Sequence, residues 1–201
     1  MGLVRASEFR AHPLGYSPRC PGRRGQRMRV HEAPSSREQG VDQKLLRIYL
    51  RDHLAAAVGG AELARRTTRN NRGTPFAPPL EQLAQEIEKD RRTLEELMRR
   101  LGFSADPIKQ AVVWAFEKVA RLKPNGRVLE YSPLSRLIEF EALGSGIEGK
   151  RSMWAALHHI ADVDERLRAA ELAKLERRAA DQRERLEAIR LEAARLALAQ
   201  H

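Results

Sequence analysis

Six polar side chains stand where helical spacing turns them toward a shared interior: His53, Asp90, Glu141, Glu148, Gln182 and Arg183. At about 100° per residue, His53 falls near the middle of an apolar face made by Leu46, Tyr49, Leu50, Leu54, Ala57, Ala61 and Ala64. Asp90 interrupts the stripe Leu83, Ile87, Leu94, Leu97 and Leu101. Glu141 and Glu148, seven positions apart and so on one side, extend the line begun by Leu134, Leu137 and Ile138. Gln182 occupies a position in the series Leu172, Leu175, Ala179, Leu186, Ile189, Ala193 and Leu196, with Arg183 beside it. A carboxylate taken out of water is costly unless it is paired or bound to a cation, so two chemistries follow. In the first, these groups are polar contacts that fix helix register: Glu141 pairs with Arg183, and Asp90 with His53 or another neighbour. No residue is then catalytic and no cofactor is expected. In the second, His53, Asp90, Glu141 and Glu148 form a reduced site for iron or manganese, which take carboxylate oxygen and imidazole nitrogen as ligands.

Other suggestive residues carry less. His158 and His159 are adjacent on a helix, diverge by about 100° and suit the carbonyl end of its dipole. Gly59, Gly60, Gly144, Gly146 and Gly149 have no phosphate-loop spacing and follow no strand; close helix approach is their expected use. No serine sits in a nucleophile-elbow context.

The elements that position the six residues are helices. Leu, Ala, Arg and Glu crowd the second half of a 201-residue chain that is 32% charged and only 5% aromatic. Pro, Gly and Asn clusters cut it into five helical stretches. The first runs from about Asp42 to Arg69 and stops at Asn70, Asn71 and Gly73; the second starts after Pro78 and Pro79 and stops at Gly102. The third spans Pro133 to Ala161 and the long C-terminal one about Asp164 to Gln200. Ser132 before Pro133, and Asp106 before Pro107, read as N-caps followed by a proline at the first helical position. Short loops make two antiparallel hairpins. Between them, Pro107 to about Leu122 forms a crossover helix with an apolar centre and Trp114 as its anchor. That connection is long enough to return along the bundle, so the second and third helices run parallel.

This layout, together with Tyr49-Leu-Arg-Asp-His-Leu-Ala-Ala-Ala-Val-Gly-Gly-Ala-Glu-Leu-Ala-Arg-Arg66 and Leu143-Gly-Ser-Gly-Ile-Glu-Gly-Lys150, resembles a lineage of the ferritin-like superfamily over roughly residues 42 to 200. The resemblance implies an all-α, four-helix bundle of two antiparallel hairpins with a crossover helix. It also implies a two-metal site built from single carboxylates and Glu-x-x-His pairs. Here the chain departs from the family. Three positions after Glu86, Glu139, Glu141 and Glu148 stand Lys89, Ala142, Gly144 and Arg151, so none of these acids opens a Glu-x-x-His pair. The fold is implied without its ligand set, and the expected function is a non-catalytic structural or interaction role. The alternative is a divergent iron- or manganese-binding or redox protein. Glu62 points away from the core and joins no ligand pair.

Charge divides the chain at about residue 40. The first 40 residues hold eight Arg against three Glu, all of that excess before Met28, with no amphipathic period. They read as a disordered basic tail, or as residues preceding a true start at Met28; residues 41–201 read as the bundle. The tail has no secretory pattern, and a weak, salt-sensitive nucleic-acid contact through it is a second alternative. No apolar run nears the roughly 20 residues of a membrane span. The lone Cys20 excludes an internal disulfide, so a cytoplasmic location is expected. The heptad-like C-terminal helix suggests a coiled-coil seam and a homodimer through it.

Overall fold

The computed structural model describes residues 40–104 and 131–199, all within one unit, Glu38–His201. The basic tail and the crossover helix with Trp114 lie outside the described residues. The described residues form four α-helices and no strand: α1 (Gln43–Asn70), α2 (Ala77–Arg100), α3 (Pro133–His159) and α4 (Ala169–Leu198). None of these helices is long and apolar enough to cross a membrane.

The helix ends follow from local chemistry. Asp42 caps α1 by accepting from the Lys44 and Leu45 amides, and Ser132 caps α3 by accepting from Ser135, with Pro133 next. α2 opens on Pro78 and Pro79 without a side-chain cap. It closes on Gly102 at φ +77°, where the Gly102 amide donates to Arg99 and the Phe103 amide to Met98. That is a Schellman closure, and Phe103 and Met98 share one apolar cluster. The C-terminal helix begins later than its sequence suggests. Asp164 caps a 3-10 turn, Glu165–Leu167, and Arg168 at φ 42° separates that turn from α4.

Contacts fix the directions. Thr68 Oγ1 donates to the Leu80 carbonyl (3.2 Å), closing the α1–α2 hairpin. Arg190 approaches Glu141 (3.5 Å) and His158 approaches Glu176 (3.7 Å), closing the antiparallel α3–α4 hairpin. The end of α1 meets the start of α3 through Arg66 and Glu139 (3.1 Å), while Arg100 of α2 meets Glu171 of α4 (3.0 Å) and Glu86 meets Arg185. α1 is therefore antiparallel to both α2 and α3, and α2 and α3 run in the same direction.

The core is divided along its length. One cluster contains Leu50, Leu54, Leu94, Met98, Trp154, Leu157 and Leu172; the other contains Leu80, Leu83, Phe140, Leu143, Ile147 and Leu186. α1 and α2 bury the stripes their spacing predicts, and α4 does so as far as Ala193, with Leu196 of the expected series exposed. α3 does not. Its buried line is Leu137, Phe140, Leu143, Gly144, Ile147, Met153, Trp154 and Leu157, whereas Leu134 and Ile138 are about half exposed. The expected register was rotated because apolar residues occupy both sides of the first turns of α3, leaving the local period ambiguous.

Candidate functional site

The join between the two apolar clusters is polar. Asp90 lies between Ile87 and Leu94 on the inner face of α2 and is 3% exposed; Gln182, between Ala179 and Leu186 on α4, is fully buried. Lys150 reaches them from α3, three residues after Ile147 and three before Met153. Its Nζ donates to Asp90 Oδ2 (2.5 Å) and to Gln182 Oε1, while Gln182 Nε2 donates to the same Asp90 oxygen (3.0 Å). Asp90 Oδ1 accepts from Arg178 Nη2. Both carboxylate oxygens are thus taken, and the layer holds two cations against one acid. Burial pushes the Lys150 ammonium below its ordinary value, with Asp90 acting in the opposite direction. At the rim, burial would raise the Glu86 carboxyl, but bonds from Arg185 and Gln182 outweigh it and the net direction is down.

The six residues selected from the sequence separate into three places. Asp90 and Gln182 form the layer. His53 stands at its edge, half-buried and edge-on to the Tyr49 ring at 4.5 Å, rather than at the middle of the inner face. Burial lowers its pKa and so favours the neutral imidazole, with the Asp52 charge acting in the opposite direction. Glu141, Glu148 and Arg183 lie outside. The Glu141 side chain is 53% exposed and faces Arg190, and Glu148 is 46% exposed and bonded to Arg151. Arg183 pairs with Glu187, not with Glu141, and its guanidinium lies over Gly144 at contact distance. The register shift of α3 explains the two glutamates: turning its stripe onto Phe140 and Ile147 swings Glu141 and Glu148 to an outer groove, which Arg183 of α4 also lines.

The ligand set that the resemblance implies does not fit these residues. Asp90 is saturated by protein donors, the two glutamates are on another surface, and no three His, Cys, Asp or Glu among the described residues are grouped to share an ion. Lys150 and Arg178 escaped the sequence reading. The signal for Lys150 was present: counting back from Trp154 and Leu157 in steps of three and four reaches Lys150, Ile147 and Leu143.

A second polar cluster closes one end of the bundle. Buried Asn71 donates to the Thr67 carbonyl (2.8 Å) and to Tyr131 Oη (2.9 Å), and accepts from Arg136 (2.6 Å). Tyr131 donates to Glu139 (3.1 Å). Burial, then the nearby Glu139 charge, raises the Tyr131 phenol well above its ordinary value.

Beside the central layer, α1, α2 and α3 enclose a cavity of about 250 Å³ that reaches His53, Asp90, Lys150 and Trp154. The glycines along it do not serve close helix approach. A Cβ at Gly60, Gly146 or Gly149 would meet nothing within 4 Å among the described residues. No family model matches the chain, and no curated protein or solved structure matches it either.

Proposed function

We propose that this chain is a ferritin-like bundle with a non-catalytic, structural or interaction role, in which an internal ion cluster stands where the family holds metal. One observation carries the reading: each oxygen of the buried Asp90 carboxylate is occupied by Lys150, Arg178 or Gln182. The parallel run of α2 and α3 supports the fold, because a crossover between hairpins requires it. The Lys150 ammonium and the Arg178 guanidinium beside the acid disfavour a further cation at the same place by direct repulsion. The test is growth in iron- or manganese-supplemented medium, purification and elemental analysis. Substoichiometric metal, unchanged in Asp90→Asn, is the expected result. A stoichiometric ion lost in Asp90→Asn would replace this reading with that of a divergent metal-binding or redox protein.

A homodimer is the form of interaction favoured by the surface. The seam of α4 is consumed within the chain, since Leu172, Ala179, Gln182, Leu186 and Ala193 are all buried. A dimer through α4 therefore uses its outer side, where Leu191 and Leu198 are exposed at the same end of the bundle as Leu134 and Ile138. Light scattering after size exclusion is expected to find a dimer at micromolar concentration and a monomer for Leu191→Glu. A wild-type monomer throughout removes this part.

A further inference from the structure

The cavity beside the polar layer has features that a structural role does not require. Its volume of about 250 Å³ exceeds the roughly 150 Å³ apolar cavity that suffices to hold benzene. Gly60 on α1 and Gly146 and Gly149 on α3 border it, each with open space where a side chain would grow. Glycine in a helix interior is unfavourable, and no neighbour among the described residues presses on the missing Cβ to justify it. Three such positions around one opening keep that opening clear. Leu94, Ile147, Met153 and Trp154 supply apolar wall, and the Trp154 indole nitrogen is buried without a hydrogen-bond partner among the described residues.

One end is different. Lys150 carries three ammonium protons and has two acceptors, Asp90 and Gln182, among the described residues. The layer behind it holds Lys150 and Arg178 against the single charge of Asp90. His53, at the same cavity, makes no hydrogen bond among the described residues. The site therefore has an apolar body, an unspent cationic donor and one surplus positive charge, with its mouth at the exposed Gly146 and Gly149.

We propose that this cavity binds a small apolar monocarboxylate, its hydrocarbon part lying against the cavity wall past Gly60, Gly146 and Gly149 and its carboxylate accepting the third Lys150 proton. A neutral molecule of the same shape fills the cavity but leaves the surplus charge uncompensated, and a dianion overfills it.

Isothermal titration of the full chain with octanoate, and with 1-octanol as the uncharged match, tests this. Octanoate is expected to bind saturably, one per chain, and about tenfold or more tighter than octanol. Lys150→Met should abolish that preference while leaving octanol binding in place. Gly146→Leu, which fills the opening without touching the ion cluster, should remove binding of both while its thermal midpoint stays at or above that of the wild type. The proposal is overturned if octanoate binds no tighter than octanol, if folded Gly146→Leu binds like the wild type, or if neither compound binds saturably. Metal content and octanoate affinity read different groups, so either result can fail alone.

Discussion

At the scale of single residues, the molecule turns on how a buried acid is satisfied. Lys150 titrates in the folded chain below its ordinary 10.5, so between the two values the unfolded chain holds the extra proton. Stability contributed by this group then rises with pH across that window, and the penalty is complete below the folded value. Urea midpoints measured as the pH is raised from neutrality toward the ordinary lysine value of 10.5 should therefore climb more steeply for the wild type than for Lys150→Met. Equal slopes would mean that the ammonium is not desolvated. Glu86 behaves oppositely. Its lowered carboxyl contributes stability above its ordinary 4.5 that is lost as pH falls through the folded value. Glu86→Gln is expected to be destabilised at neutral pH and to converge on the wild type in acid. At the far end of the bundle, Tyr131→Phe removes the bonds to Asn71 and Glu139 and should cost about 1 kcal/mol in chemical denaturation.

Among elements, the two kinds of glycine make opposite predictions. Gly102 closes α2 in the left-handed region, so Gly102→Ala should destabilise by about 1 kcal/mol. Gly146 is helical with open space at its Cβ, so Gly146→Ala should stabilise by about 0.5–1 kcal/mol. Thermal melts of the pair check both signs. The elements themselves were largely legible in the sequence. α1 ends within a residue of its expected limits because Asp42 and the Asn70–Gly73 run are strong local signals. α2 buries its expected stripe, and α4 does so as far as Ala193, because a single apolar phase runs through each. α3 was misread where Leu134, Leu137, Ile138 and Phe140 leave two phases open, and its packing against α4 chose between them. That choice carried Glu141 and Glu148 to the surface and brought in Lys150. Half of the polar layer was thus readable as interruptions of clean stripes at Asp90 and Gln182. Of the other half, Lys150 lies on the period that leads back from Trp154 and Leu157, whereas Arg178 required tertiary register that no local period encodes.

For the whole molecule, the polar layer divides one long core into two apolar clusters and ties α2, α3 and α4 together at a single level. Helices lined only with leucine and alanine could slide by a turn at modest cost; an acid that must meet a lysine and a glutamine cannot. The central claim is that Asp90 and Lys150 neutralise each other in the core. A double-mutant cycle by urea denaturation, comparing the wild type with Asp90→Leu, Lys150→Met and both together, measures it most directly. Asp90→Leu strands the Lys150 ammonium and is expected to cost about 3 kcal/mol, Lys150→Met leaves Asp90 its bonds from Arg178 and Gln182 and should cost less, and the double replacement should cost clearly less than the sum of the two. Additive losses in the double variant would contradict the account, because the two side chains would then be compensated independently.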